Sequence, residues 1–342
     1  MSGLIKPVSS FMLLAWVLAG GATTAFSHQQ NFPLTVENCG QNIRVNLPPQ
    51  RVVTIGQAST ELLYHLGLHD RVVGTSNWFT DVSEEFDQVN SRIERLADNF
   101  PSFERVVSKR PDLVTADFMF AVGPQGVVGK REQFHSLGVN TYVMDSECPE
   151  LRTDGASSGP VVFSLDKLFQ SIRNLSRIFD VQHRGEALIS EIKNRESAVI
   201  LQSSQQGYEK LSAVFWFSSA DIQMDPWVAG STGVPAWMLA SLGIRNVIDA
   251  KEEWPSVGWE SIARANPDIL VIAEMTRRRF DGDDYRKKLE FLRTDSVTRH
   301  MDAVLNDRIV IMDAQAMRAT LRSIDGLEKL SAALKDMDFA RE

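Results

Sequence analysis

Ser164-Leu165-Asp166-Lys167-Leu168-Phe169-Gln170-Ser171-Ile172-Arg173-Asn174-Leu175-Ser176-Arg177-Ile178-Phe179 is the stretch on which the architecture turns. Its apolar residues Leu165, Leu168, Phe169, Ile172, Leu175, Ile178 and Phe179 recur at spacings of three, four and seven. That rhythm places them on one face of an α-helix. About 16 residues at ~1.5 Å each reach about 24 Å. The polar loop 149–160 (PELRTDGASSGP) precedes it, and a second helical segment, roughly Arg184 to Gln202, follows. A helix in this position joins what lies on its two sides.

Both sides carry alternating strand-like and helix-like runs. Before the helix stand the β-branched runs Val52-Val53-Thr54-Ile55 and Val72-Val73-Gly74-Thr75, with Ser59 to Gly67 between them. That piece reads as a helix with a Ser or Thr cap and a Gly stop. Further on, the pattern predicts a short helix at Phe103 to Ser108, a run from Pro111 to Ala116 that enters a strand, a helix at Arg131 to Leu137 and a strand at Thr141 to Met144. Beyond the helix come strands at Ala213–Phe217, Ile269–Ala273 and Ile309–Met312. The helices there are Pro235–Leu242, Trp259–Ala265 and Ser323–Met337. Such alternation implies mainly parallel strands with helices on both faces. The expected fold is α/β, with two lobes of mainly parallel sheet joined by one long helix. The divisions are 28–160, a linker helix at 161–183, and 184–342. A cleft between two lobes is the natural ligand site.

Residues 1–27 differ from the rest. Lys6 is followed by the apolar run Phe11–Ala19 and then by small residues, Gly20 to Ala25. This order is that of a cleaved secretory signal peptide, with a buried N-terminal helix as the alternative. No Cys follows the run, so lipid attachment there is not expected. The formal charge of −8 becomes −9 without this leader, which disfavours nucleic acid or anionic membrane as the main partner. At 43% hydrophobic and 23% charged, a chain of this length builds a core without metals or disulfides. In an exported chain, the pair Cys39 and Cys148 reads first as a disulfide, with two buried thiols as the alternative.

One pattern occurs twice. Pro101-Ser102-Phe103-Glu104 leads through a short helix to Pro111-Asp112-Leu113-Val114. Pro255-Ser256-Val257-Gly258-Trp259-Glu260 leads likewise to Pro267-Asp268-Ile269-Leu270. In each, a Glu occupies the first helical turn, where the helix dipole favours a carboxylate; helix support alone would account for it. The duplicated pattern, with Cys39-Gly40, Pro49-Gln50-Arg51-Val52-Val53 and the helix-linked lobes, resembles the periplasmic binding proteins for ferric siderophores and vitamin B12 across essentially the whole mature chain. The resemblance implies the helical-backbone periplasmic-binding-protein fold and a periplasmic location. It also implies that Glu104 and Glu260 dock onto arginines of an ABC permease dimer in the inner membrane.

Ligand-facing residues in such clefts come from loops after strand C-termini. Four loops qualify, and they carry Trp78 and Phe79; Phe118; Trp216 with Trp227 beyond it; and Arg277, Arg278 and Arg279. Guanidinium forks match carboxylate or catecholate oxygens, and aromatics offer flat contact surface. The bland alternatives are a solvated loop for the arginines, balanced by Asp281, Asp283 and Asp284, and core positions for Trp78 and Phe79.

Three motifs are set aside. Gly155-Ala156-Ser157-Ser158-Gly159 spells a nucleophile elbow but lacks the strand before it and has Pro160 after it. Gly123 to Lys130 misses the phosphate loop, with Pro124 and Arg131 at the wrong places. His65 and His69 are separated by Gly67 and lack further ligands. The chain is therefore expected to be a monomeric binding protein, not an enzyme, with no cofactor of its own. A metal arrives only inside a bound chelate. The first ligand class is a ferric siderophore, with cobalamin or haem as alternatives. An exported hydrolase using Ser157 and a sensor subunit are the rivals.

Overall fold

Short β-branched runs buried on both faces have one stable outcome, a parallel sheet covered by helices. The computed structural model describes residues 32–148, 162–337 and 339, together with Met1 and Gly3. The rest of the signal-peptide segment and the Ser157 motif lie outside the described residues. The described residues from 32 onward form one compact unit.

The first half runs β1 (Leu34–Asn38), β2 (Gln41–Val45), β3 (Val52–Ile55), α1 (Gln57–His65), β4 (Val72–Ser76), α2 (Asp87–Asn90), β5 (Arg95–Ala97), α3 (Phe103–Val107), β6 (Leu113–Ala116), α4 (Met119–Val122), α5 (Arg131–Ser136) and β7 (Asn140–Val143). The helices α6 (Leu165–Ile178) and α7 (Gln182–Ser203) follow. The second half runs β8 (Ser212–Ser218), β9 (Trp227–Val228), α8 (Val234–Leu242), β10 (Arg245–Asn246), α9 (Trp259–Ala265), β11 (Ile269–Glu274), α10 (Tyr285–Thr294), α11 (Asp302–Leu305), β12 (Ile309–Asp313) and α12 (Ser323–Asp336).

The first sheet has the order β5-β4-β3-β6-β7, all parallel. The second has the order β10-β8-β11-β12, also parallel, with β9 antiparallel on β8. The halves are topological equivalents: β3 corresponds to β8, β6 to β11 and β7 to β12. The stripe of α6 is buried as its spacing requires, with Leu168, Ile172, Leu175 and Ile178 at 0–1% exposure. They belong to one apolar cluster containing Leu62, Leu63 and Tyr142 from the first half and Phe215, Val271 and Leu327 from the second. The helix is thus a shared floor under both sheets rather than a free strut.

Two local expectations change. Helix α1 begins at Gln57 rather than at Ser59, and neither Ser59 nor Thr60 caps it. Its cap is the Asp117 carboxylate at the end of β6, which accepts from Ala58 N (2.9 Å) and Ser59 N (2.8 Å). Gly56, at φ 142°, makes room for it. A Cβ there would lie 2.0 Å from the Asp117 Cγ. The antiparallel hairpin β1-β2 was not foreseen. The disulfide Cys39–Cys148 ties this hairpin to the turn after β7, with Cα atoms 4.8 Å apart.

Candidate functional site

In a parallel sheet the loops leaving strand C-termini gather at one edge. Six such loops matter here, after β4, β6, β7, β8, β11 and β12. The first three belong to one half, and the last three to the other.

Phe79 follows β4 and Phe118 follows β6, both half-buried. Between them, from the opposite half, reaches Arg318 of the loop after β12. Its guanidinium carbon lies 4.7 Å from the Phe79 ring centre and 4.4 Å from that of Phe118. Arg318 is only 9% exposed, and its Nη1 has no hydrogen-bond partner. Phe118 stacks on Phe120 at 4.9 Å, and Phe100 meets both edge-on. Across the cleft Phe79 faces Phe217 at 6.5 Å, and Phe217 leans on Trp254 at 4.6 Å. The result is an aromatic cluster around a buried cation where the two halves meet, the candidate ligand groove.

Of the three consecutive arginines, Arg277 turns inward. Its guanidinium sits 4.0 Å from the Phe79 ring centre and donates to Asn99 Oδ1 at 2.9 Å. Its backbone N–H donates to the Phe79 carbonyl at 3.1 Å, bonding one half to the other. Burial lowers its pKa. Arg278 turns away to Asp284 (2.9 Å). Arg279 is exposed and lies over Phe280. The base of this loop is pinned by Asp283, which accepts from Ser218 Oγ, Arg279 N and Phe280 N. Beneath it, wholly buried Lys288 donates to the carbonyls of Phe217 (2.5 Å) and Ala273 (2.9 Å), and burial pushes its pKa down to about 7. Trp227, half-buried on β9, packs edge-on against Phe280 at 5.4 Å.

Two expected contact residues are corrected. Trp78 is 2% exposed, with its indole donating to Thr75 Oγ1 at 3.0 Å and Arg95 over its ring. Trp216 is wholly buried between Trp259 and Phe291. For Trp216 the cause is the two-residue alternation of a strand: it takes the face of β8 covered by α9 and α10, and Phe217, one residue on, takes the other.

Arg318 and Arg322 were missed, as were Glu61, Glu147 and Glu253. The rule that selected loops after strand ends was applied to β4, β6, β8 and β11. Extended to β7 and β12 it selects Glu147, Arg318 and Arg322. Arg322 Nε donates to Glu61 Oε2 at 2.9 Å, and Arg322 also binds Asp313 (2.9 Å) and the Asp81 carbonyl (2.8 Å). Gln315 donates to Gln57 Oε1 at 2.9 Å. These bonds close one end of the groove.

At the other end lies a cavity of about 190 Å³ lined by Ser146, Glu147, Phe163, Thr232, Glu253 and Ala319, among others. A larger cavity of about 560 Å³ lies elsewhere, beside Cys39 and Met119, and is lined by Lys130, Arg131 and Glu132, so its charge is of mixed sign rather than a pair of carboxylates. Burial raises the Glu147 carboxyl to about 7, opposed by Arg318 and assisted by Glu253 and Asp117. Glu253 is exposed as a residue, yet burial also raises its carboxyl, against Arg318 and a hydrogen bond from Trp254. A carboxyl whose folded pKa lies above its unfolded value holds its proton more tightly when folded. Stability therefore falls as pH rises from about 4.5 to about 7, and the cost stays in full above that. Glu147→Gln removes a penalty of at most about 3 kcal/mol. Thermal unfolding should show the variant a few degrees more stable than the parent at pH 8 and equal to it at pH 4.5. A variant less stable at pH 8 would show that Glu147 is satisfied as an anion.

Glu104 and Glu260 are both exposed, in the first turns of α3 and α9. These helices precede the equivalent strands β6 and β11. A helix that runs back to start the next parallel strand has its N-terminus at the strands' C-terminal edge, so both carboxylates belong to the rim that bears the groove. Among the described residues no three His, Cys, Asp or Glu converge to hold a metal, and no helix is long and apolar enough to cross a membrane.

The sequence matches the family profile described as periplasmic binding protein over residues 52–316. It is 20% identical over 335 residues to an uncharacterized ABC transporter substrate-binding lipoprotein, YvrC, of Bacillus subtilis strain 168, covering 95% of each chain. It is 22% identical over 225 residues to the vitamin B12-binding protein of Salmonella choleraesuis strain SC-B67, covering 65% of this chain and 72% of that one. In structure it is similar to a protein titled ABC-type Fe3+-hydroxamate transport system from Saccharomonospora viridis DSM 43017. The TM-score is 0.70 at 24% identity, over 89% of this chain and 99% of the other.

Proposed function

This chain belongs to the periplasmic binding protein family, and on that footing we propose that it captures a ferric siderophore for an ABC importer, in the groove around Arg318. Members of the family bind solutes for transport and do no covalent chemistry. The proposal adds the ligand class, the residues that hold it, and export by removal of the leader.

The observation that carries it is the state of Arg318. A guanidinium buried between two phenyl rings, with Nη1 unpartnered, bears a desolvation cost that ring faces only partly offset. An anionic oxygen from the ligand, of hydroxamate, catecholate or carboxylate type, supplies the missing charge-assisted bond. The rings of Phe79, Phe118 and Phe217 then cover the organic skeleton, and Arg277 offers a second cation beside Phe79. A whole chelate needs more room than the cavity beside Glu147 provides. A cobalamin reading has its own support, because Glu147 and Glu253 suit amide donors and a relative is named for vitamin B12.

Calorimetry against a ferric trihydroxamate, a ferric tricatecholate, haemin and cyanocobalamin tests the choice. We expect a ferric chelate to bind and to raise the melting temperature with concentration. Arg318→Ala should weaken it by roughly 10- to 100-fold, the worth of a hydrogen bond to a charged group. Binding of cyanocobalamin or haemin alone would replace the siderophore reading, and wild-type affinity in Arg318→Ala would remove its anchor.

A further inference from the structure

We propose that the cavity between Glu147 and Glu253 is a subsite for a cationic arm, so that this protein prefers chelates bearing a primary ammonium group. The proposal rests on the chelate reading and adds a selectivity that family membership does not imply.

The cavity has two walls of opposite origin. Glu147 comes from the turn after β7, in the first half, and the adjacent Cys148 is held to Cys39 by the disulfide. Glu253 comes from the second half, and its side chain lies against Gly233, where a Cβ would sit 2.8 Å from the Glu253 Cγ. Glu147 is therefore anchored through the neighbouring disulfide, and Glu253 reaches the cavity because Gly233 leaves room for its side chain. The volume, about 190 Å³, admits about six non-hydrogen atoms at ~30 Å³ each. That suits the end of an aminoalkyl chain and excludes a chelate core.

The chemistry of the lining favours a donor. Thr232, 6% exposed, lines the same cavity, and its Oγ1 has no hydrogen-bond partner. The Thr232 carbonyl is engaged by Phe163 N at 2.8 Å, which fixes this residue at the wall. The charged groups that bear on the cavity are Glu147, Glu253, Asp117 and Arg318. Three are acids and one is a base. Arg318 forms no ion pair with either glutamate among the described residues, being held by the phenyl rings instead. An ammonium has three donors and no acceptor. Two carboxylates and a hydroxyl provide acceptors for all three, and the added positive charge relieves the repulsion between the acids. An anionic or purely apolar arm gains none of this.

The groove then reads a ligand at two points. The anionic oxygens of the chelate meet Arg318, and a cationic tail enters beside it. Two charge-assisted contacts of opposite sign fix the ligand's direction in the groove, which neither alone does.

The test uses the mature protein and one linear ferric trihydroxamate with a terminal primary ammonium, compared with the same chelate N-acetylated on that amine. Calorimetry at pH 7.5 should give the ammonium form at least tenfold tighter binding. In Glu147→Gln/Glu253→Gln the ratio should fall to within about twofold. Each single variant should lower it part way, so the singles decide the matter where the double variant folds poorly. Equal affinities in the wild type would overturn the proposal while leaving the chelate reading intact. A preference that persists in the double variant would overturn it too, by showing that the acetyl group acts through size. Failure of both chelates to bind would overturn the chelate reading and this inference with it.

Discussion

Replacing Glu104 and Glu260 together by alanine is expected to abolish ligand uptake by the importer in proteoliposomes, with ligand affinity held within about twofold. The two carboxylates are exposed, each in the first turn of a short helix, and those helices precede equivalent strands of the two sheets. A membrane partner with two matching cationic sites would meet both at once, one on each half. Charge-assisted carboxylate contacts contribute about 1.5–3 kcal/mol each. Loss of both therefore weakens docking by roughly two to four orders of magnitude. Neither residue touches the aromatic groove, and the helix-dipole contribution of each is only about 0.3–1 kcal/mol, so folding and binding should survive. Each single variant should retain partial uptake, and raised salt should mimic the loss. Uptake at the parental rate in the double variant, or ligand affinity falling in step with uptake, would end the docking role.

The second large effect concerns stability. Arg322→Met should destabilise the protein by about 3–5 kcal/mol at pH 8, because it strands a buried carboxylate. Glu61 is 2% exposed and relies on Arg322 for its charged partner. Even with that partner, burial raises its pKa. Without it the group holds its proton more tightly still, so the sign is settled. The deficit is greatest above the raised folded pKa, shrinks as pH falls toward 4.5, and vanishes only below it, where both states are protonated. Glu61→Leu/Arg322→Met should recover most of the loss, since an apolar pair leaves no charge behind. Urea unfolding of the two variants at pH 5 and pH 8 measures all of this. A single-variant deficit under about 1 kcal/mol at pH 8 would show that water reaches Glu61. Arg322 also closes one end of the groove through Asp81 and Glu61, so the same variant should open it more readily and bind ligand faster.

Much of the architecture is readable along the chain because it depends on neighbours. The stripe Leu165 to Phe179 is one face of a helix whatever surrounds it, and it appears as α6 with that face buried. Gly67, Gly138 and Gly243 end helices at φ of 68°, 75° and 74°, as a residue without Cβ is suited to do. The repeated Pro-Asp pattern marks β6 and β11, and these are topological counterparts. Where a long-range partner intervenes, local reading fails. The cap of α1 is Asp117, whose carboxylate meets Ala58 N and Ser59 N from some 58–59 residues away, and no nearby Ser or Thr announces it.

The groove shows the same division more sharply. Trp78 and Phe79 are adjacent, as are Trp216 and Phe217, and in each pair one ring is core while the other faces the opposite half. Among Arg277, Arg278 and Arg279, composition is identical and only the turn after β11 decides that Arg277 covers Phe79. Periodicity, caps and turn residues are properties of consecutive side chains, so sequence alone determined the main helices and strands, their order and the parallel kind of the two large sheets, but not the β1-β2 hairpin. Arg318 between Phe79 and Phe118, and Glu147 opposite Glu253, unite loops far apart in the chain. Only the tertiary structure decided those meetings, because they depend on which strands pair and therefore on which strand ends share an edge.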